Sequence, residues 1–566
     1  IYQRDADDQI LRKFRLAISV NGEYTTFHGG TVAGALAGIN ATITRVNAIF
    51  ESDMALTFEV QDFPEIIYID ANTDPYSGSL SAWNAQLQNT LTSTIGEAAY
   101  DIGHMFGASG GGGNAGCIGC VCEDNAKGSG ITSPSNGQPQ GDTFDLDYVI
   151  HEIGHQMGAL HTFSHVNAGG AANIEPGSGS TIMGYAGITN SNVQSNSDPY
   201  FSYFSIKEIT DNITNVRLCW QTNSPETLTN NPPNTNAGFD FTIPKGTAYV
   251  LRGSATDADN SDELMYCWEQ NDDGVVTRNN FGPNLASGAM VRSLPPTLEP
   301  NRYIPKLSRV ISGQLTETNP NSGDDWETVS NVSRDLNFAL TVRDREPTAT
   351  GLNGQSSFDL MKITVDAAAG PFAITSQTTN EEWDAGSTKT ISWDVAGTDT
   401  GNVNTPKVNI LLSIDGGLTF PYNLGSDIDN NGSYSFTVPA TGGGDTTQAR
   451  IIVEGKDNIF YAMNSTNFSI KETEFAIGVS NTVIAICSPD DAVYNFTYNT
   501  FLGFTGTTTF STSGLPSGAS ASFSPATATA DGTAVTATIS GTGSVAIGEY
   551  DFKILGTSGS IVKEAD

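Results

Sequence analysis

Two periods of apolar residues alternate over the first 220 positions of the chain. Apolar residues recur at every second position, as in strands, around residues 13–20, 56–60 and 99–106. They recur at every third or fourth position, as in amphipathic helices, around residues 31–50, 83–95, 143–157 and 205–217. Strands that alternate with helices are typical of α/β layer structures. The pattern therefore predicts an α/β (α+β) domain over residues 1–222.

The pattern changes after residue 222. Residues 223–236 are rich in Pro and Asn and predict a linker. Beyond it, short alternating runs are separated by Gly, Asn and Asp turns and show no helical period, which is typical of β-sandwiches. A chain of 566 residues is also too long for a single core. We expect three all-β sandwich modules, at residues 237–368 with a long insertion, 371–471 with an Ig-like pattern, and 474–566.

Acidic residues greatly outnumber basic ones. The chain has 62 Asp and Glu against 26 Lys and Arg, a formal net charge of -36. Such a surface would repel phosphate, which argues against nucleic acid and against anionic membrane surfaces as partners. No apolar run reaches the roughly 18 residues of a membrane span. The chain begins at Ile1 without a signal-peptide pattern, so we expect a mature, secreted, extracellular form without its export signal and propeptide.

Four of the six cysteines fall in the predicted α/β domain, at Cys117, Cys120, Cys122 and Cys219. The spacing of the first two also occurs in zinc knuckles and redox pairs, but no second C-x-x-C completes a zinc site. Disulfides are favoured in a secreted protein. A bond from Cys122 to Cys219 would tie the last helix to the middle of the domain. We expect Cys267 and Cys487 to be buried free thiols.

The densest group of candidate site residues is the run His-Glu-Ile-Gly-His-Gln-Met-Gly-Ala-Leu-His, which begins at His151. His151 and His155 are four residues apart, so a helix places both rings on one face, where they can hold one zinc ion. Gly158 lets the chain leave the helix sharply, which allows His161 to return as a third ligand. Glu152 would reach a water molecule at the metal. Three protein ligands leave an open position, as in catalytic zinc sites.

A second motif, Ser-Thr-Ile-Met-Gly-Tyr at residues 180–185, follows this run. Together the two motifs resemble those of the metzincin zinc endopeptidases. The domain resembles the reprolysin (adamalysin)-like metzincins found in secreted multidomain proteases of Bacteroidetes-type bacteria. The resemblance implies a metzincin catalytic fold that holds Zn²⁺ through the three histidines. It also implies that Glu152 is the general base and that Met183 forms the floor beneath the metal in a Met-turn.

Two positions near the motifs leave alternatives open. Thr162 follows the third histidine where typical adamalysins have Asp, and the sequence His161-Thr-Phe is also similar to the pappalysin/cytophagalysin branch. Tyr185 stands two residues after Met183, as in astacins and serralysins. Its phenol is expected either to approach the zinc and donate a hydrogen bond to the oxyanion, or only to pack the Met-turn.

We therefore expect a zinc metalloendopeptidase (EC 3.4.24 class) that cleaves protein or peptide substrates with Glu152 as general base. An extended substrate is expected to pair with an edge strand around Tyr100 to Phe106. The alternative is an adhesin or glycan-binding protein whose metal domain is only a scaffold, although an intact Glu152 argues against it. The β modules are expected to bind a surface, a glycan or a substrate protein.

Two further groups of residues were considered as metal ligands. The first is an acidic cluster that resembles the calcium loops of cadherin-like modules, which predicts either a Ca²⁺ site or a solvated turn: Asp257, Asp259 and Asp262. The second is a set of histidines outside the zinc motif, which we expect to be packed or hydrogen-bonded rather than ligands: His28, His104 and His165.

Overall fold

The structure is a computed structural model that describes residues 6–170, 172–259, 263–344, 354–441, 444–479 and 483–565. The chain forms two compact units. The first unit comprises residues 1–306 and 315–367, and the second comprises residues 307–314 and 368–566. The predicted α/β domain and the first β module thus belong to the same compact unit.

The N-terminal domain alternates strands and helices in the predicted way. Its elements are β1 (Ile10–Val20), α1 (Gly22–Phe27), α2 (Val32–Met54), β2 (Leu56–Val60), α3 (Leu80–Thr94), β3 (Ile102–Phe106), β4 (Gly112–Asn114), β5 (Gly130–Ser133), α4 (Asp142–Phe144), a π-helical stretch (Asp145–Ile150), α5 (His151–Met157) and α6 (Tyr203–Asn215). Three short 3₁₀ turns lie at Pro64–Ile66, Glu97–Ala99 and Cys219–Thr222.

The strands of this domain form one sheet with the order β2-β1-β3-β5-β4. The first four strands are parallel, and β4 is antiparallel to its neighbour β5. Side chains of β1 alternate between the two faces, as the period of two requires. Leu16 and Ile18 pack in a core with α2, α5 and α6, whereas Ala17 packs on the other face with Trp83 and Leu87 of α3. Helices therefore cover both faces of the sheet.

Two sequence-based boundaries need correction. The strand predicted from residue 99 begins only at Ile102, because Glu97–Ala99 forms a 3₁₀ turn. The helix predicted from Thr143 is not uniform, since a π-helical stretch precedes α5. One wider turn of this kind is frequent at functional sites. Hydrophobic spacing does not separate a π turn from an α turn, so the apolar pattern does not predict this stretch.

The segment predicted as a linker, residues 223–236, contains two short strands, β6 (Glu226–Thr227) and β7 (Asn234–Asn236). β6 pairs with β1 of the N-terminal domain. β7 pairs with β10 (Ser254–Thr256) of the first β module. Two strands that belong to other sheets, β8 (Phe241–Pro244) and β9 (Ala248–Arg252), come between them along the chain. The segment is therefore fixed by backbone pairing at both ends.

The remaining strands of the first β module are β11 (Met265–Gln270), β12 (Asn301–Ile304), β13 (Arg334–Arg343) and β14 (Ser356–Asp366). Four strands form a sheet with the order β11-β13-β14-β8, and β9 pairs with β12. The predicted long insertion lies between β11 and β13. "First β module" below means residues 237–306 and 315–367, because residues 307–314 belong to the second unit.

The second unit contains α7 (Leu307–Ile311), a 3₁₀ turn (Thr542–Ser544) and many strands. Its first part has β15 (Ala373–Ile374), β16 (Glu382–Asp384), β17 (Thr388–Asp394), β18 (Lys407–Ser413), β19 (Tyr422–Asp429), β20 (Ser433–Thr437), β21 (Thr446–Gly455), β22 (Phe460–Met463) and β23 (Phe468–Lys471). Its last part has β24 (Phe475–Val479), β25 (Ala492–Thr500), β26 (Thr508–Ser513), β27 (Ser520–Ser524), β28 (Thr527–Ala528), β29 (Thr533–Ser540), β30 (Lys553–Ser558) and β31 (Ile561–Ala565).

The last part of the second unit forms two four-stranded sheets, β24-β25-β29-β27 and β28-β26-β30-β31. Their shared core includes Phe475, Tyr498, Phe510 and Ile554. Cys267 of the first unit is buried as predicted, but the prediction for Cys487 is wrong because its side chain is exposed. Cys487 lies between β24 and β25, outside any strand that would carry it into the core. Within the described residues, no helix is both long enough and apolar enough to cross a bilayer.

Candidate metal centre and active site

The three histidines of the sequence motif meet at one place. The helix α5 stacks His151 and His155 one turn apart, with their ring centroids separated by 4.7 Å. Gly158 ends the helix at φ 129°, a conformation that favours glycine, and the chain then turns back. The ring of His161 comes to lie 4.4 Å from that of His155. The potential ligand atoms of all three rings lie within 4.8 Å of one another.

Backbone carbonyl groups orient two of these rings. The Nδ1 atom of His151 lies 2.7 Å from the carbonyl oxygen of Ile182, and that of His155 lies 2.6 Å from that of Ala159. An Nδ1–H that donates to a carbonyl leaves Nε2 as the free lone pair, which is the usual arrangement behind a metal ligand. Burial, with a smaller contribution from neighbouring histidines, lowers the pKa of all three rings to about 3. They are therefore neutral, as metal binding requires.

Glu152 belongs to α5, and its side chain packs against the strand β4. Its carboxylate is buried and accepts a hydrogen bond from the backbone N–H of Ala115. Burial raises the pKa of Glu152 to about 8. Gly113 of β4 is packed so closely on this side chain that an added Cβ would lie 2.3 Å from Oε1. Glu152 is thus held beside the histidines without belonging to their group.

Met183 is fully buried beneath the helix that carries the first two histidines. An added Cβ on Gly154 would lie 2.7 Å from the Met183 sulfur, so a glycine at this position lets the Met-turn approach α5. The backbone carbonyl of Met183 also accepts a hydrogen bond from the N–H of Thr162, at 3.1 Å. The Met-turn is therefore bonded directly to the residue that follows His161.

Glu175 is a residue of the candidate site that the sequence analysis missed. One oxygen of its buried carboxylate accepts hydrogen bonds from the hydroxyl groups of Thr162 and Thr181, both at 2.6 Å. The other accepts from the backbone N–H groups of Ser180 and Thr181, at 2.9 and 3.1 Å. Glu175 thus joins the segment after the third histidine to the start of the Met-turn. Its only sequence signal is an acid just ahead of several Ser and Thr donors.

Tyr185 packs against the histidine group. Its ring centroid lies 4.5 Å from that of His161, 5.6 Å from that of His151 and 4.6 Å from that of Phe163. Burial, followed by the nearby charge of Glu152, raises the pKa of the Tyr185 phenol. The tyrosine therefore lies at the site, whereas a direct role of its hydroxyl group in catalysis stays a prediction.

Residues 11–224 match the family model described as Metallo-peptidase family M12B Reprolysin-like. The N-terminal domain is thus reprolysin-like. The match spans the sheet, the histidine group and the Met-turn described above. Residues 376–470 match the Kre9/KNH-like N-terminal Ig-like domain, within the region predicted to be Ig-like. No curated protein matches the chain.

Several solved structures are distantly similar to the chain. They include domains 4 and 5 of the S-layer protein SbsC (17% identity, TM-score 0.13, covering 23% of this chain and 65% of that one). Two others are the N-terminal eight Ig domains of Down Syndrome Cell Adhesion Molecule (10%, 0.13, 60% and 41%) and Escherichia coli alpha-2-macroglobulin activated by porcine elastase (9%, 0.16, 59% and 32%). The chain spans less than two thirds of each of these solved chains. TM-scores this low support no fold assignment.

The substrate strand predicted at Tyr100 to Phe106 is corrected by the sheet order of the reprolysin-like domain. β3 is flanked on both sides, by β1 and β5, so its backbone groups are already paired. At the edge of the sheet lies β4, and Gly113 of β4 contacts Glu152. The mistake has a physical cause: β4 consists of Gly112, Gly113 and Asn114 and has no apolar alternation to reveal it.

The other histidines of the reprolysin-like domain lie outside the metal group, as expected. His104 is fully buried, and both of its ring nitrogens are hydrogen-bonded. Nδ1 lies 2.7 Å from Oε1 of Gln156, and Nε2 lies 2.7 Å from the hydroxyl oxygen of Thr132. His28 lies 3.3 Å from the carbonyl of Pro139. His165 packs on the ring of Phe163, with centroids 4.5 Å apart.

Two disulfides are present in the reprolysin-like domain, Cys117–Cys120 and Cys122–Cys219, which confirms the preference for disulfides. The loop that carries Cys117, Cys120 and Cys122 also caps the C-terminal end of α5. The N–H of Gly119 donates to the carbonyl of His155, and that of Val121 donates to Gln156. The cysteines therefore stabilise the backbone next to the second histidine.

The candidate calcium residues are only partly described. Asp259 accepts hydrogen bonds from the backbone and side chain of Asn231, and Asp257 accepts one from the N–H of Asp259. Asp262 lies outside the described residues. The Asp257 bond is that of a local turn, and the Asn231 bonds tie this turn to the segment before the module. A calcium site here stays a prediction.

Proposed function

We propose that the chain is a secreted, zinc-dependent endopeptidase that hydrolyses peptide bonds of protein substrates. The single observation that carries this proposal is the combination of three neutral, convergent histidines with a buried glutamate that is not one of them. A structural zinc site usually has four protein ligands, whereas three histidines leave one position open. A purely structural metal domain would have no use for Glu152 at this position.

The donor set fits zinc. His151, His155 and His161 would hold the ion through Nε2, since Nδ1 of the first two already faces a carbonyl oxygen. Neutral imidazole is a preferred ligand for zinc, and the burial of these rings keeps them neutral. When bound, zinc would polarise the scissile carbonyl group and make an attacking water molecule more acidic.

Glu152 would act as the general base and then as the general acid. Burial raises its pKa to about 8, close to the pH at which such a group both accepts and returns a proton efficiently. In the proposed reaction its carboxylate takes a proton from the attacking water and then gives this proton to the leaving amine. The N–H of Ala115 holds the carboxylate in place for both steps.

The edge strand β4 would bind the substrate backbone. An extended peptide that adds to a sheet edge is held by main-chain hydrogen bonds whatever its side chains are. Because Gly113 touches Glu152, a peptide paired with β4 would pass directly over the general base. We propose in addition that the Tyr185 phenol donates a hydrogen bond to the oxyanion, because its ring already packs on two of the histidines.

A metal-depletion experiment tests the proposal. Purified protein would be assayed for bound zinc and for hydrolysis of casein and gelatin, before and after treatment with a chelator. We expect about one zinc per chain and a loss of hydrolysis that added zinc restores. A zinc-loaded protein without hydrolysis of any protein or peptide would instead favour a binding protein with a metal scaffold.

A further inference from the structure

The residues around the Met-turn are held by side chains and backbone from outside the reprolysin-like domain. We use the name "Met-turn segment" for residues 162–203, which run from the third histidine to the start of α6. The first β module contacts this segment at several places, two of which bear on the histidine group. Both places lie within the first compact unit.

The first contact is made by the backbone of Val276. Its N–H donates to the carbonyl of Ser164 at 2.9 Å, and its carbonyl accepts from the N–H of Gly177, also at 2.9 Å. The hydroxyl of Ser164 donates to the same carbonyl of Val276 at 3.2 Å. Val276 therefore joins the two stretches of the Met-turn segment that carry Ser164 and Gly177.

An apolar cluster reinforces this contact. Val193 of the Met-turn segment is fully buried together with Val276, Phe281 and Trp326 of the first β module. The indole ring of Trp326 also covers Gly177, where an added Cβ would lie 2.9 Å from the ring. Trp326 is itself completely buried. It is thus the largest apolar side chain that holds the Met-turn segment to the β module.

The second contact is polar and centres on Ser293. The hydroxyl of Ser293 donates to Glu269 at 2.7 Å and accepts a bond from the hydroxyl of Tyr200 at 2.6 Å. The carbonyl of Ser293 accepts a bond from the Ser180 hydroxyl at 3.2 Å. Glu269 also accepts a bond from the N–H of Tyr203. These bonds fix the Met-turn segment at its far end and just ahead of Met183.

Glu175 connects both contacts with the histidine group. The segment 174–177 pairs with residues 162–165, and its Gly177 rests on Val276. Within it, the Glu175 carboxylate binds the hydroxyl groups of Thr162 and Thr181. Thr162 directly follows His161, and Thr181 is two residues before Met183. Movement of the β-module contacts would therefore reach the third histidine and the Met-turn.

We propose that the first β module is a built-in part of the active site, and that Trp326 and Ser293 are positioning residues for His161 and Met183. This inference rests on the proposed zinc peptidase function. It goes beyond that function in assigning a role in metal binding to residues outside the reprolysin-like domain. A loosened Met-turn segment would weaken zinc binding. Mutation of the groups that hydrogen-bond a metal ligand typically lowers metal affinity by about 10- to 100-fold.

The test compares variants of the full chain. Trp326→Leu removes the apolar anchor, and Ser293→Ala removes the bonds to Tyr200 and Glu269. Trp326→Phe is the conservative variant, and Phe338→Leu is the matched control, because Phe338 is buried in the sheet of the same module and packs on Tyr249. For each variant, the zinc dissociation constant is measured with a competing chelator, together with Tm, kcat and KM on one peptide.

We expect Trp326→Leu and Ser293→Ala to weaken zinc binding by about tenfold or more. They should lower kcat more than they change KM. Trp326→Phe should recover most of both losses, and Phe338→Leu should lower Tm while leaving zinc affinity and kcat as in the unaltered protein. Ser293→Ala decides the matter if Trp326→Leu does not fold.

Two other results have separate meanings. If the unaltered protein binds zinc and hydrolyses peptides, while zinc affinity and kcat in the folded positioning variants match those of the Phe338→Leu control, the inference about the β module is wrong. If the unaltered protein itself binds no zinc through the histidines, the proposed function fails, and this inference fails with it.

Discussion

The Nδ1 atom of His151 lies 2.7 Å from the carbonyl oxygen of Ile182, the residue just before Met183. The Met-turn thus contacts His151 through its backbone, while the methionine side chain packs on the same helix at Gly154. This bond fixes the tautomer of His151 and leaves its Nε2 available for a metal. The position of the Met-turn therefore decides the direction in which the first histidine presents its lone pair.

We predict that Gly113→Ala lowers kcat while leaving zinc content unchanged. The new methyl group would lie 2.3 Å from Oε1 of Glu152 and would push the carboxylate from its place beside β4. Loss of a well-placed general base typically costs about 10²- to 10⁴-fold in rate, and a displaced one should lose part of that. Gly78→Ala is the control, because nothing lies within 4 Å of its added Cβ. Equal kcat in the two variants would refute the close packing of Gly113 on the general base.

Tyr185→Phe separates the two roles of this tyrosine. If the hydroxyl stabilises the oxyanion, kcat should fall and KM should change little, because the lost hydrogen bond exists mainly in the transition state. Zinc content should stay the same, since the three histidines are untouched. The ring contact with His161, at 4.5 Å, is kept by phenylalanine. Unaltered kinetics would leave Tyr185 only its packing role.

The buried His104 predicts a dependence of stability on pH. Burial lowers its pKa from 6.5 to about 4, so the unfolded chain binds a proton that the folded chain does not between these values. The contribution of His104 to the free energy of unfolding is therefore fully present above pH 6.5 and is lost as the pH falls toward 4. The difference is about 3 kcal/mol for a shift of this size.

Urea unfolding of metal-free protein at several pH values measures this contribution. The other histidines contribute equally to the unaltered protein and to His104→Gln. The variant should thus be less stable overall but show a shallower decline between pH 6.5 and 4. The same decline in both proteins would mean that His104 is not the group that takes up the proton.

The sequence predicted the parts of the site that depend on local spacing. His151, His155 and Gly158 act within two helical turns, so their arrangement follows from the geometry of a helix. Glu175 was missed because its partner Thr162 is reached only after the chain folds back on itself. Ser164 and Val276 are 112 residues apart, and no period in the sequence connects them.

The fold also divides into elements that local sequence patterns predict and elements that depend on long-range pairing. Strands with alternating apolar residues, such as β1, were predicted because one face of each must be buried. The edge strand β4 has almost no side chains, so its place in the sheet is determined by the backbone of β5. The two strands inside residues 223–236 were missed for a related reason. They consist of polar residues, so they have no apolar alternation, and only backbone pairing holds them.

The most direct test of the account is the activity of a zinc-loaded Glu152→Gln variant. Glutamine keeps the size of the side chain but cannot take a proton from water. The account predicts zinc content equal to that of the unaltered protein, with peptide hydrolysis reduced by about 10²-fold or more. Hydrolysis close to the normal rate by a variant with one zinc per chain would contradict the assignment of Glu152 as the general base.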